Sequence, residues 1–224
     1  MTFTNSPLAV FRQISPNKNS PRNQPIRKIT IHHTAGVISI ENLGGWFAKS
    51  TTKASSNYGV GSNGRVGLYV EEKDRSWCSS SPNNDHQAVT IEVSNSATGG
   101  DWPVSDKAFM ATIDLCVDIC KRNGIDRLNY TGTTAGNLTR HDMFSPNKVC
   151  PGPFLAARLP YIASEVNKRL VAETKPVDAV AEAIEILRQN GVLNSPDYWF
   201  TQSARLMYLD QLLINMANKL KGGG

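Results

Sequence analysis

The sequence of 224 residues has no apolar run of the roughly 20 residues that a membrane-spanning helix requires. Its first residues, Met1 to Pro7, also lack the basic stretch and the apolar core that mark a secretory signal peptide. These absences predict synthesis in the cytoplasm without membrane insertion. In that compartment the four cysteines of the chain are expected to be reduced.

A nucleic-acid-binding motif is absent as well, although the chain carries a net charge of +5. Residues 1–172 contain 19 Lys and Arg against 13 Asp and Glu, whereas residues 173–224 contain 5 against 6. The basic residues of the first part are scattered along the sequence, so nucleic acid is not predicted as a partner. A basic surface does favour association with anionic polymers at low salt.

The composition, 40% hydrophobic and 19% charged, is ordinary for a soluble protein with a buried core. The length exceeds one typical domain, and residues 171–178 have the composition of a linker. We therefore predict a larger domain over residues 1–172 and a small helical domain over residues 173–224.

Three helices are predicted in the small domain. One begins at Asp178 and ends near Gly191, and the next follows a cap and proline at Asn194 to Pro196. The last has apolar residues at helical spacing, which are Leu206, Leu209, Leu213, Met216 and Leu220. Because a domain of about 50 residues buries little surface alone, this module is expected to pack against the larger domain, a second chain or another surface.

His141 and Cys150 lie nine positions apart, and Ile29-Thr-Ile-His-His33 supplies a further imidazole. Taken singly, each such residue is more often merely packed in a protein core. Together, two imidazoles and one thiolate fill three corners of a zinc tetrahedron and leave the fourth for water, as in catalytic zinc sites. Strand alternation separates His32 from His33 but does not say which of them faces the metal.

Four motifs in register carry a resemblance to the type 2 N-acetylmuramoyl-L-alanine amidases over roughly residues 8–170. They are Ile-His-His-Thr-Ala-Gly at 31–36, Ser-Asn-Tyr-Gly-Val-Gly at 56–61, Thr-Ile-Glu-Val-Ser-Asn at 90–95 and Lys-Val-Cys-Pro-Gly-Pro at 148–153. That family includes phage endolysins and resembles the animal peptidoglycan recognition proteins. The resemblance implies an α/β fold with a central mixed β-sheet flanked by helices, followed here by the small helical C-terminal domain.

The resemblance also implies a Zn²⁺ cofactor held by His32, His141 and Cys150, with His33 as an outer or packing residue. The implied reaction is hydrolysis of the amide bond between N-acetylmuramic acid and L-alanine in peptidoglycan. Glu92 is the candidate base, because alternation in its strand places it on a polar face opposite a buried one. Lys148 and Tyr58 match residues that some relatives use near the metal, so both are candidates for stabilising the oxyanion; a packing role for Tyr58 is about as well supported.

The remaining cysteines have simpler interpretations. A helix predicted from a cap at Ser105 to Gly124 carries Cys116 and Cys120 among apolar neighbours, which makes them core residues. Cys78 has no obvious partner in the sequence.

Two other functions stay open at this stage. A non-catalytic peptidoglycan-binding protein is disfavoured because relatives of that kind commonly lack the cysteine ligand, and Cys150 is present. A cysteine hydrolase with Cys150 as nucleophile and His141 as base would retain activity after chelation, whereas a zinc enzyme would not.

The biological setting is inferred from the implied reaction and from the absence of a signal peptide. A wall hydrolase without a signal peptide fits a phage or prophage endolysin that acts on the cell wall after release. Peptidoglycan and anionic wall polymers are the expected partners, and the C-terminal helices are expected either to target the wall or to form a homodimer.

Overall fold

The computed structural model describes residues 3–174, 177–203 and 209–221. The chain divides into two compact units, Met1–Leu170 and Val171–Gly224. The first unit contains every residue of the predicted site.

A six-stranded mixed sheet forms the centre of the first unit, in the order β1-β5-β4-β7-β3-β8. Only β4 and β5 pair in antiparallel orientation among these described strands; the other four pairs are parallel. The strands are β1 (Ala9–Arg12), β3 (Lys28–His33), β4 (Tyr58–Val60), β5 (Val66–Leu68), β7 (Ala88–Val93) and β8 (Leu138–Arg140). Two short strands, β2 (Lys18–Asn19) and β6 (Arg75–Ser76), pair separately.

Helices flank the sheet, which confirms the predicted fold class. In the first unit they are α1 (Ile40–Phe47), α2 (Pro82–Gln87), α3 (Asp106–Asn123) and α4 (Gly152–Thr174), with short 3₁₀ turns at Ser50–Thr52 and His141–Met143. Helix α3 has the ends that the sequence predicts. Ser105 Oγ accepts a hydrogen bond from the Ala108 amide, and Gly124 closes the helix with a φ of 64°.

The two faces of the sheet differ in chemistry. On one face, apolar side chains of β3 and β7 share a buried cluster with α3 and α4, and fully buried Cys116 and Cys120 belong to it as predicted. On the other face, polar side chains pair across the strands: Thr30 Oγ1 lies 2.9 Å from Thr139 Oγ1, and Ser76 Oγ lies 2.7 Å from Thr90 Oγ1. Buried polar groups need such partners, and this polar face carries the candidate site.

The second unit contains α5 (Val177–Gln189), α6 (Pro196–Ser203) and α7 (Leu209–Lys221). Its core joins Val180, Ala183, Ile184 and Leu187 of α5 to Leu213 and Ala217 of α7. Leu209 packs against this core, whereas Met216 and Leu220 are exposed. Leu206 lies outside the described residues.

The segment 171–178 was predicted to be a linker. Helix α4 continues to Thr174 and α5 begins at Val177, so the described part of this segment is helical. Val171, Ala172 and Glu173 include no helix-breaking residue, so the last turns of α4 propagate through them. The assignment of two independent domains at this point stays a prediction.

Among the described residues, no helix has both the length and the hydropathy needed to cross a bilayer.

Candidate active site

Three adjacent parallel strands bring the site together at their carboxyl ends. His32 lies near the end of β3 and is directly opposite Glu92 of β7 in the register of the sheet. On the other side of β3, Ile31 is paired with Arg140 of β8, and His141 follows immediately. The carboxyl ends of parallel strands are where α/β folds commonly place their ligand sites.

Cys150 completes a group of three from the loop before α4. Its Sγ lies 3.6 Å from His32 Nδ1, and the rings of His32 and His141 have centroids 4.9 Å apart. One ligand atom from each of His32, His141 and Cys150 lies within 4.8 Å of the others. Zinc–nitrogen and zinc–sulfur bonds of usual length at a tetrahedral angle would separate the two donor atoms by about 3.6 Å. The donor set and this spacing therefore fit a zinc ion.

The surroundings keep the imidazoles in the form that a metal needs. Burial, followed by the charges of His141 and His33, lowers the pKa of His32 well below its usual value. Burial and the cation of Lys148 also lower the pKa of His141. Neutral imidazole has a lone pair for a metal, whereas imidazolium does not.

Cys150, unlike the two histidines, must be charged to bind a metal, because the ligand is the thiolate. Burial, with the nearby carboxylate of Glu92, raises the pKa of the Cys150 thiol far above its usual value. The amide of His33 donates to Cys150 Sγ at 3.4 Å, and this hydrogen bond favours the thiolate. A divalent cation at the group of three would supply the larger part of the compensation. Cys150 contacts His32 rather than a histidine base at His141, which disfavours the cysteine hydrolase.

His33 lies on the other side of β3 from His32, as the alternation predicts. Both residues are nevertheless buried, because helices cover both faces of the sheet. The His33 ring meets Trp102 edge-on with centroids 5.3 Å apart, and it crowds Gly152 at the start of α4. This position assigns His33 to packing.

Glu92 is the carboxylate nearest to the group of three in the sheet. Its Oε1 lies 3.8 Å from Cys78 Sγ, and its Oε2 is buried with no hydrogen-bond partner among the described residues. Burial raises the pKa of Glu92 to about 8. A half-buried carboxyl with a raised pKa beside a candidate metal site has the properties of a general acid–base group.

Tyr58 lies on the face of the sheet opposite to the one that carries the candidate site, which does not suit the predicted role of stabilising the oxyanion. It is paired with Ile91, one residue before Glu92, and shares the apolar face of the sheet. Its fully buried hydroxyl donates to Glu72 Oε1 at 2.7 Å and accepts from the Ser6 amide at 2.7 Å. This position disfavours the expected contact with a reacting carbonyl and favours a structural role for Tyr58.

Lys148 lies at the rim of a cleft beside the group of three. The cleft has a volume of about 390 Å³ and is lined by, among others, Lys53, Arg75, Trp77, Cys78, His141 and Lys148. Ser80, also in its wall, places Oγ 3.3 Å from His141 Nε2. Sequence reasoning missed Lys53, Arg75, Trp77 and Cys78, since loops and the short strand β6, which have no motif of their own, carry them to the site.

A family model described as N-acetylmuramoyl-L-alanine amidase matches residues 22–153. No curated protein sequence matches the chain.

Solved structures share the fold at low sequence identity. PlyL is 18% identical with a TM-score of 0.55, over 70% of this chain and 96% of that one. The catalytic domain of PlyG is 20% identical with a TM-score of 0.55, over 74% and 98%. A selenomethionine derivative of AmpD is 16% identical with a TM-score of 0.53, over 73% and 99%.

Proposed function

The chain belongs to the N-acetylmuramoyl-L-alanine amidase family, and on this premise we propose that it is a zinc-dependent hydrolase that degrades the cell wall as an endolysin. One observation carries the zinc dependence: His32, His141 and Cys150 meet with a nitrogen–sulfur distance of 3.6 Å. The bond cut is the amide between the lactyl group of N-acetylmuramic acid and L-alanine.

Zinc at this position would supply positive charge that lowers the pKa of a coordinated water to roughly 7 and polarises the scissile carbonyl. His32 and His141 would hold the ion as neutral ligands, and Cys150 would return one negative charge as thiolate. The site would therefore keep a net positive charge toward an amide substrate.

Glu92 moves the proton. Its carboxylate takes a proton from the attacking water as the oxygen adds to the carbonyl carbon. The carbon–nitrogen bond then breaks, and the proton held at Glu92 passes to the departing nitrogen of L-alanine. The raised pKa of Glu92 favours the second step, because such a carboxyl releases its proton near neutral pH. The positive charge of a bound ion would favour the carboxylate that the first step needs.

Lys148 is positioned to stabilise the negative charge that develops on the carbonyl oxygen. It reaches the cleft next to His141, and its cation already acts on that ring. A fixed cation at a developing oxyanion is usually a large catalytic contribution. Lys53 and Arg75 add positive charge to the cleft wall, which suits peptides that carry carboxylates.

The basic excess of residues 1–172 supports association with anionic wall polymers. We assign the second unit to wall targeting or to homodimer formation, and these two alternatives predict different results on truncation. Action on the wall after release from the cytoplasm completes the endolysin proposal.

Digestion of purified walls, followed by mass spectrometry of the muropeptides, tests the reaction. The expected products are glycans with a lactyl carboxylate and peptides with a new L-alanine amino terminus. New reducing sugar ends would contradict the proposal, and so would activity that survives complete chelation of metal.

A further inference from the structure

A second group of potential metal ligands lies beside the same cleft, whose wall includes one of its members, Cys78. The proposed reaction does not use this group to bind a metal. The group consists of His32, Cys78 and Glu92, whose ligand atoms all lie within 4.8 Å of one another. Cys78 Sγ is 3.8 Å from Glu92 Oε1. Sulfur and oxygen ligands of one tetrahedral zinc ion would lie about 3.5 Å apart, so small side-chain adjustments suffice to bind an ion between them.

The loop that carries Cys78 is fixed in place. The amides of Cys78 and Ser79 each donate to Asp85 Oδ2 at 3.1 Å, and Asp85 is itself buried. On the other side, the Trp77 amide donates to Ser55 Oγ at 3.0 Å. Because both flanks are anchored, the thiol is held toward Glu92 without the cost of ordering a flexible loop.

Two buried polar atoms of this group have no hydrogen-bond partner. Glu92 Oε2 and His32 Nε2 are both inaccessible to solvent and have no hydrogen-bond partner among the described residues. An unsatisfied buried polar atom costs stability, and most native examples have an explanation in a bound ion, a water or a function. The wall of the cleft is formed in part by Cys78, so an ion has a route to the group from solvent.

We propose that Cys78 and Glu92 form a second, weaker site for a thiophilic divalent cation such as zinc or cadmium, beside the first. The inference rests on the proposed zinc site, because His32 belongs to both groups. A neutral imidazole has one lone pair, so His32 serves one ion at a time. With the first site filled, the second ion has two protein ligands, Cys78 and Glu92, and solvent in the remaining positions.

Binding there has a chemical consequence. The Cys78 thiol loses its proton to solvent as the sulfur binds the cation, and the Glu92 carboxylate becomes a ligand that no longer takes a proton from water. An excess of zinc above one equivalent is therefore expected to inhibit the amidase while the first ion stays in place.

The test uses the full chain loaded with one equivalent of zinc and titrated with cobalt(II). A thiolate bound to cobalt gives a charge-transfer absorption band, and zinc retention is measured in the same samples so that exchange at the first site is counted separately. We expect the band in the wild type and in the matched control Cys120→Ser. Cys78→Ser and Cys78→Ala should lose it and bind cobalt at least tenfold more weakly. The zinc concentration that halves activity should rise at least tenfold in the same two variants.

A band of equal size in the Cys78 variants, or no band in the wild type at millimolar cobalt, would overturn the second site. Neither result bears on the first site, which is judged separately from the zinc content of Cys150→Ser. That measurement is repeated with Cys78→Ala added, because His32 belongs to both groups and Cys78→Ala disables the second one. The two proposals therefore fail independently.

Discussion

His32 and Glu92 are neighbours across the β3/β7 pair, and burial acts on both by penalising charge. The imidazole becomes a better ligand because it stays neutral. The carboxyl becomes a better proton carrier because its pKa rises toward neutral pH.

Glu92→Gln is expected to lower turnover by roughly a hundredfold or more, because the amide cannot take the proton of water. Zinc content and wall binding should stay unchanged. Turnover on soluble muropeptides, with zinc content measured in parallel, checks this. Glu41→Gln, an exposed carboxyl paired with Arg65, is the control and should retain activity. Unchanged turnover in Glu92→Gln would remove the base assignment.

The pH dependence of stability tests the environment of Glu92 in metal-free protein. The unfolded chain releases this proton near the usual pKa of 4.5, whereas the folded chain holds it to about 8. Between these values the folded state binds more protons, so the contribution of Glu92 to stability falls as pH rises.

Glutamine does not ionise, so Glu92→Gln should gain stability relative to the wild type by about 3–4 kcal/mol between pH 5 and pH 8. Thermal unfolding of both proteins in the presence of chelator measures the difference. His32 titrates in both variants and cancels in the comparison. A difference that is constant over this range would show that Glu92 is not buried as described.

Tyr58→Phe is expected to cost about 1–3 kcal/mol of unfolding free energy, because the Glu72 carboxylate and the Ser6 amide lose their common partner. Turnover should change by less than a factor of about two, since the hydroxyl lies on the far side of the sheet from the cleft. Denaturant unfolding and a muropeptide assay separate the two effects. A large fall in turnover with intact stability would restore Tyr58 to the catalytic set.

At the scale of elements, the features that depend on nearby residues, such as the ends and the buried face of a helix, were predicted correctly from the sequence. The cap at Ser105 and the left-handed Gly124 define α3, and the apolar spacing between them places Cys116 and Cys120 in the core. The spacing and flanking motif of His141 and Cys150 similarly predicted a shared metal site, which the geometry is compatible with.

The positions of residues that depend on contacts distant in the sequence were harder to predict. Alternation orders the residues of one strand, but the face of Tyr58 depends on its register with β7, which the sequence of β4 does not encode. Cys78 reaches the cleft through a loop fixed by Asp85, a contact without a sequence signature. The continuation of α4 to Thr174 was not predicted, because one proline and three charged residues gave the segment 171–178 the composition of a linker.

At the scale of the molecule, the excess of basic residues and the candidate catalytic residues lie in the same part of the chain. The candidate ligands, the base and the basic excess all fall within the first unit, and the second unit has its own small apolar core. This separation is the basis for expecting the two units to act independently.

A chain truncated after Thr174, which keeps α4 whole, is expected to fold, to bind zinc and to cleave soluble muropeptides at the wild-type rate. Against intact walls it should act more slowly if the second unit targets the wall, because a second attachment raises the local concentration of enzyme. If that unit forms a dimer, the mass in solution should instead fall to the monomer value. Insoluble or zinc-free protein would show that α5 to α7 complete the first unit.

The zinc content of Cys150→Ser tests the central claim most directly. After dialysis to remove loosely held ions, elemental analysis should find about one zinc per wild-type chain and almost none in Cys150→Ser, since a neutral hydroxyl is a poor substitute for thiolate. Cys116→Ser, in the core of α3, should lose stability and keep its zinc. Full zinc occupancy in Cys150→Ser would contradict the assignment of His32, His141 and Cys150 as the metal site.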